Sequence, residues 1–260
     1  MRAWFAGALI TLLFLAGGLA MTDTASAGSP WATNVKSPTS VIDIHYYGHS
    51  TFFLEFMSAK ILTDPFAKSV GYPLPNVTPD AVTISHEHFD HNAVDYLPNT
   101  ATVFRGLRVG GNDWASVDES VGALSIGNMP SYHDDQKGAK RGKNSIFIFQ
   151  WENVRLAHLG DLGHDLSAAE LKQLGRIDVL FIPVGGNYTI DAATATKLIG
   201  KIKPKIAIPM HYKTKHVKMD LAPVDDFLKG KTNVKHIKGG VAKIDLTDLP
   251  KSTEIWVFDI

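Results

Sequence analysis

The sequence predicts two β-sheets packed face to face with helices on the outside. Its first half is a succession of short strands separated by turn residues, its second half alternates capped helices with apolar strands, and strand character persists almost to the last residue. Antiparallel strands first and helix-linked strands second need two sheets to bury both sets of apolar faces.

Val41 opens "VIDIHYYG", followed by "STFFLEF" and "KILTDP", and the turn residues between them predict an antiparallel meander. The next apolar run, "DAVTISH", predicts a buried strand that ends in histidines. "TATVFRG" and "GALSIGNMPSYH" continue the strand character, interrupted by Gly and Asn. In "KNSIFIFQWENVRLAHLGD", Ile146, Ile148 and Gln150 alternate up to a turn at Glu152 and Asn153, and Val154, Leu156 and His158 return, which predicts a hairpin. Ser167 caps "AAELKQLG", which stops at Gly175 before the strand "IDVLFIPVGG"; Asp191 caps "AATATKLIGKI" before "PKIAIPMHY". A helix around "APVDDFLKG" and the strands "VAKIDL" and "TEIWVFD" close the chain. No low-complexity linker or long charge run divides it, so residues 41–260 form one predicted domain.

Lys+Arg and Asp+Glu are both 26, and the resulting zero formal charge offers no electrostatic footprint for a nucleic-acid partner. The absence of cysteine removes disulfides, lipid-modified thiols and thiolate ligands, leaving imidazole and carboxylate for any metal. Arg2, the apolar run "WFAGALITLLFLAGGLA" ending at Ala20, and the small residues Ala25 and Ala27 predict a signal peptide over 1–27. Residues 28–40 then form an exposed N-terminal segment, and the mature protein is secreted or periplasmic with no stable membrane insertion. The rival reading is an uncleaved anchor, because the run approaches bilayer-spanning length. An oligomer is compatible with the sequence but not specified by it.

"ISHEHFDHN", Ile84 to Asn92, places three of the eleven histidines and two acidic residues within nine positions. At this chain's His and Asp frequencies HxHxDH would arise by chance in about one such sequence in a thousand, so a solvated polar turn is a poor explanation. His86 and His88 can converge on one cation while Asp90 and His91 turn toward a second point. Such ligands suit Zn²⁺, Fe²⁺ or Mn²⁺, and the end of a buried strand holds them more rigidly than a free loop would.

These residues resemble the metallo-β-lactamase fold hydrolases, whose first motif is the same HxHxDH. Later strand ends supply "PSYHDD" with His133, "AHLGDLGH" with Asp161 and "IPMHY" with His211, in the family's order. The stretches "YYGHSTFFLE", "LTDP", "KRGKN" and "PVGGNYT" look most like the branch containing ascorbate-6-phosphate lactonase-like proteins and other metal-dependent hydrolases. The resemblance implies a four-layer αββα sandwich of two mixed sheets. It implies two divalent ions, Zn²⁺ first with Mn²⁺ or Fe²⁺ as alternatives: one held by His86, His88 and His133, the other by Asp90, His91 and His211, with Asp161 bridging. An anionic bridge offsets the repulsion of two cations, and a pair about 3.5 to 4 Å apart turns a shared water into a nucleophile near neutral pH. The expected activity is hydrolysis of a small-molecule ester, lactone or phosphoester. The alternatives are a phosphodiesterase of phospholipase D-like type and an exported metal-binding protein without turnover. A true β-lactamase is disfavoured because its commonest subclasses place a cysteine at the second metal.

Asp90, Asp161 and His164 are the candidate catalytic residues, His164 as proton donor from the loop after Asp161. Arg141 and Lys143 in the basic run "KGAKRGKN", and Asn187 in "VGGNYT", are candidate substrate contacts, set against the ordinary reading of a solvated loop. His158, within a strand, is expected to be a satisfied core histidine. His49 in "GHST" has either a turn role or a place beside the site. Asp64 in "LTDP" resembles a family position that supports the metal histidines by hydrogen bonding.

Overall fold

The computed structural model describes residues 40–260; the predicted signal peptide and all of the 28–40 segment except Ser40 lie outside the described residues. One mixed sheet contains β1 (Val41–Gly48), β2 (Thr51–Phe56), β3 (Ala59–Thr63), β4 (Ala81–Ile84), β5 (Thr102–Arg105) and β13 (Val241–Asp245), in the order β13-β1-β2-β3-β4-β5. The predicted meander is β1 to β3, antiparallel throughout, after which β4 and β5 add in parallel.

The second sheet contains β6 (Asp118–Val121), β7 (Leu124–Tyr132), β8 (Lys143–Trp151), β9 (Val154–His158), β10 (Val179–Pro183), β11 (Ile206–Met210), β12 (Val234–Ile237) and β14 (Glu254–Phe258), ordered β12-β14-β11-β10-β9-β8-β7-β6. Its β6 to β9 part is antiparallel. From β9 through β10, β11 and β14 to β12 it is parallel. The two-residue turn of the predicted hairpin is present, with Trp151 opposite Val154.

Helix α1 (Ala168–Leu174) links β9 to β10, and α2 (Ala192–Ile202) links β10 to β11. Both start where the sequence caps them. The Ser167 hydroxyl accepts from the Glu170 N–H while the Glu170 carboxylate accepts from the Ser167 N–H, and Asp191 accepts from the Thr194 N–H. A shorter α3 (Val224–Leu228) follows β11. Among the described residues no helix is long and apolar enough to cross a membrane.

Side-chain alternation in the first sheet explains the layering. Phe52, Leu54, Phe56 and Ile61 enter the core between the sheets, where Phe52 meets Phe181 of β10 with ring centroids 4.5 Å apart. Phe53, Leu62, Val82 and Ile84 face the other way, into a second cluster with Leu97 and the half-buried Val77, Val94 and Tyr96. The outer layer on this side is therefore made by the segments after β3 and β4, with a single 3-10 turn at Lys68–Val70. The α-helices belong to the second sheet, whose β10 and β11 are buried along their whole length.

Strand direction decides where function can sit. β1, β3 and β4 run in one direction, so their C-terminal ends share one edge of the first sheet. The C-terminal ends of β7, β9, β10 and β11 likewise share one edge of the second.

Candidate metal centre

His49 follows β1, Asp64 follows β3, and the His86 to His91 loop follows β4, while His133, Asp161 and His211 come just after β7, β9 and β11. Hydrogen bonds between the sheets hold the two edges in register. The His49 carbonyl accepts from the His211 N–H at 2.8 Å, the Ser85 carbonyl from the Ser145 N–H at 3.0 Å, and the Ser50 carbonyl lies 2.9 Å from His158 Nε2. His49, Asp64 and His211 have φ of 55°, 39° and 54°. Left-handed backbone at three non-glycine residues costs on the order of 1 kcal/mol each, and such strain concentrates where side chains must be aimed. Two glycines are required for the opposite reason. A Cβ on Gly160 would lie 2.4 Å from Asn144 Oδ1, and one on Gly163 would lie 2.3 Å from the His133 carbonyl carbon, so both let the Asp161 loop press against its neighbours.

Two groups of ligand-type atoms result: His86, His88 and His133, and beside them His49, Asp90, His91 and His211. The Asp161 carboxylate lies between them. Its Oδ2 is 3.1 Å from His133 Nε2, 3.2 Å from His211 Nε2 and 3.8 Å from His86 Nε2, and its Oδ1 is 3.2 Å from His91 Nε2. Asp90 Oδ2 is 2.9 Å from His49 Nε2 and 3.7 Å from His91 Nε2.

Asp64 settles which imidazole nitrogens face inward. Its Oδ1 accepts from the Ser85 N–H at 2.7 Å, and its Oδ2 accepts from Ser85 Oγ at 2.5 Å and His91 Nδ1 at 2.9 Å. Because the Ser85 proton goes to Asp64, Ser85 Oγ accepts from His86 Nδ1, 2.9 Å away. Both rings therefore carry Nδ1–H outward and turn Nε2 toward Asp161. Asp64, His86 and His91 also approach one another closely enough to share an ion, but the oxygens of Asp64 are already taken by these donors.

The chemistry of this donor set fits cations. Asp64, Asp90 and Asp161 are buried, and among the described residues their ion-pair partners are all histidines. His91 Nε2, His211 Nε2 and Asp161 Oδ1 are buried without a hydrogen-bond partner. A buried carboxylate oxygen and an imidazole nitrogen that carries no proton cannot satisfy one another; divalent ions between them would satisfy both. Burial opposes charge on His91, but Asp161 and Asp90 outweigh it and hold its pKa well above the ordinary value. Burial likewise opposes ionisation of Asp161, but His211, His91 and His133 hold its pKa well below the usual carboxylate range.

The neighbouring imidazoles behave oppositely. Burial first and His211 second lower the His49 pKa to about 4, although the hydrogen bond to Asp90 opposes them. Burial also lowers His86 and His158. A histidine with a lowered folded pKa binds its proton first in the unfolded chain, so its contribution to stability is complete above about pH 6.5 and is lost on acidification. For His49 alone the loss by pH 4 is about 3 kcal/mol. The chelator-treated protein should therefore show a urea midpoint that falls between about pH 6.5 and pH 4.5; a flat midpoint over that range would show that these rings are hydrated or already charged.

The remaining sequence candidates separate. Arg141 lines the cavity over the centre together with Phe89, Tyr188 and Met219. His164 does not line it. Its Nε2 accepts from the Tyr132 N–H at 3.3 Å, its Nδ1 lies 3.1 Å from the Asp165 carbonyl, and it faces a neighbouring cavity. With both nitrogens on backbone groups, it is not placed to protonate a leaving group at the centre. Lys143 is drawn away to Asn112 and Asp113, with Nζ 4.0 Å from the Trp114 ring centroid. Asn187 donates to the Asp220 carbonyl at 3.0 Å and joins two loops. His158 is the expected core histidine, between the Ser50 carbonyl and the Gly160 N–H.

Two residues absent from the sequence candidates shape the centre. Buried Asn144 donates to Ser131 Oγ and the Leu159 carbonyl and accepts from the Asp161 N–H at 3.0 Å, fixing the backbone of the central carboxylate. Asp134 accepts backbone N–H groups from Gln136, Gly138, Lys140 and Arg141, so the basic run is a loop wound around a carboxylate. Their signals, Asn144 ending "KRGKN" and Asp134 following His133, were in view, but a hydrogen-bonding role has no periodicity to betray it.

Comparison with known proteins agrees with this construction. The β-lactamase superfamily domain matches residues 43–211. A UPF0173 metal-dependent hydrolase of Archaeoglobus fulgidus is 31% identical over 201 residues, covering 66% of this chain and 83% of its own. Its namesake in Staphylothermus marinus is 30% identical over 194 residues, with coverage of 66% and 83%. A solved Thermotoga maritima structure, assigned to the Zn-dependent hydrolases of the metallo-β-lactamase superfamily, shares 36% identity at a TM-score of 0.65, covering 84% of this chain and 98% of that one. Strand ends from two mixed sheets converging on a histidine-aspartate centre, in a chain with these relatives, place the protein among the metal-dependent hydrolases of the metallo-β-lactamase superfamily.

Proposed function

We propose that the protein is an exported two-metal hydrolase of small esters, lactones or phosphoesters. His86, His88 and His133 would hold one ion and Asp90, His91 and His211 the other, with the Asp161 carboxylate shared between them. Zn²⁺ is the first choice, with Mn²⁺ or Fe²⁺ suited to the same ligands. The observation that carries this reading is the position of Asp161, whose two oxygens lie within 3.2 Å of imidazoles from both groups. Two divalent ions held there would supply Lewis acidity for a water nucleophile and for the bond under attack.

The chain's own groups orient and limit that chemistry. His49, neutral because its pKa is lowered to about 4, donates Nε2–H to Asp90 and fixes that carboxylate's plane. Asp64 and Ser85 hold His86 and His91 in the tautomer that leaves Nε2 free. Phe89, Tyr188 and Met219 wall a cavity of about 300 Å³, room for a small substrate. Export rests on the N-terminal pattern of Arg2, the apolar run and Ala25 and Ala27.

Metal analysis of the purified protein should give two divalent ions per chain. Chelation should abolish hydrolysis across a panel of lactones, aryl esters and phosphodiesters, and Zn²⁺ or Mn²⁺ should restore it. Turnover that survives complete removal of metal would end this reading.

A further inference from the structure

Resting on the hydrolase reading above, we propose that the substrate is an anionic amphiphile, with an apolar arm packed on Phe89 and Met219 and an oxyanion bound by Arg141 beside the Tyr188 ring. Once the ligand-type residues are set aside, the walls of the cavity are Phe89, Arg141, Tyr188 and Met219. Three are apolar or aromatic, and the single charged one is a cation.

Phe89 is 56% exposed although it lies inside the HxHxDH loop. Its backbone is pinned, the carbonyl accepting from the Ala67 N–H at 3.0 Å, so the ring is held at the mouth. A large apolar group fixed in water at the rim of a reaction cavity is a surface awaiting an apolar partner. Met219 is fixed from behind: its carbonyl accepts from Lys213 Nζ at 2.7 Å, and Asn187 ties the neighbouring Asp220 to the loop that carries Tyr188. Asn187 and Lys213 thus build this wall.

Arg141 supplies the polar half. Among the described residues no carboxylate forms an ion pair with its guanidinium, which lies 5.4 Å from the Tyr188 ring centroid. The nearby Asp134 carboxylate is taken up by four backbone N–H groups, one of them Arg141's own. A guanidinium over an aromatic ring, with its backbone fixed and no carboxylate ion-paired to it among the described residues, is preorganised for a carboxylate or phosphate. There is room for such a head group: a second cavity of about 410 Å³ shares Arg141 and Tyr188 with the first. Four aspartates also line it: Asp134 is held by backbone N–H groups, Asp165 by Lys197 and Lys201, Asp191 caps α2, and Asp135 is exposed to solvent.

The test measures binding of 4-phenylbutyrate, 2-phenylethyl phosphate and the neutral 4-phenylbutyramide to Zn²⁺-loaded protein by titration calorimetry. At least one anion should bind tenfold or more tightly than the amide; which one it is separates a carboxylate head group from a phosphate. Arg141→Met should erase that preference, Tyr188→Leu should weaken it, and Phe89→Ala should weaken all three ligands alike, with metal content unchanged in each variant. A preference that survives in Arg141→Met would mean that the metals alone hold the anion, and equal binding of amide and anions would mean that no anion site exists; either overturns the proposal. The hydrolase reading fails separately, if no substrate in the panel shows chelator-sensitive turnover.

Discussion

Asp161→Asn should lower kcat/KM by about 10³-fold or more, equivalent to about 4 kcal/mol of transition-state stabilisation, and should reduce the metal content below two ions per chain. The change is nearly isosteric, and the backbone N–H that binds Asn144 Oδ1 is untouched, so the loop should keep its place. What disappears is the anion shared by His91, His133 and His211, and with it the proposed bridge between two cations. Two cations a few ångströms apart without a negative group between them repel strongly in a buried site. In the variant, one Asp161 oxygen becomes an NH₂ group that can bind no cation. Circular dichroism and thermal unfolding of the loaded protein would show that the fold persists while metal analysis and rates report the loss. A variant that keeps both ions and full turnover would remove Asp161 from the centre. A protein that merely stores metal would show weaker uptake and no rate to lose.

The sequence made the ligand-type residues legible because each stands at the end of an apolar run, and strand ends are where the chain can aim side chains rigidly. HxHxDH follows "DAVTIS", His133 follows β7, Asp161 follows β9, and His211 follows "IAIPM". The capped helices and the β8 to β9 hairpin were legible for a related reason, since Ser167, Asp191 and the Glu152-Asn153 turn act within a few residues of themselves. What stayed hidden acts at long range. β6 and β12 are the two outer strands of the second sheet and are mostly exposed, so they carry no buried alternation to mark them. The last two strands part company, β13 joining β1 and β14 joining β11, a choice no local pattern encodes. His164 sits three residues beyond Asp161 in sequence yet turns to the Tyr132 backbone. Sequence proximity to a ligand says little about direction once the chain leaves a strand.

Asp64→Asn should cost nearly as much as the loss of a ligand, although Asp64 is assigned to neither ion. As a carboxylate, Asp64 only accepts, and three donors converge on it: the Ser85 N–H, the Ser85 hydroxyl and His91 Nδ1–H. Asparagine can keep one acceptor oxygen toward the Ser85 N–H, but its NH₂ then faces the Ser85 hydroxyl and His91 Nδ1. Donor meets donor unless His91 moves its proton to Nε2, the atom 3.2 Å from Asp161, and unless Ser85 turns its hydrogen toward His86. Either shift puts a proton where a cation should bind. Supporting hydrogen bonds of this kind commonly account for 10- to 100-fold in metal affinity, and here one carboxylate governs two imidazoles, so the upper end of about 100-fold is expected. Competition with a zinc chelator would measure the affinity, and ¹⁵N shifts of the His91 ring would report the tautomer directly. Asp64→Asn protein with wild-type zinc affinity, and with the His91 proton still on Nδ1, would show that the Asp64 charge does not set the ring's orientation.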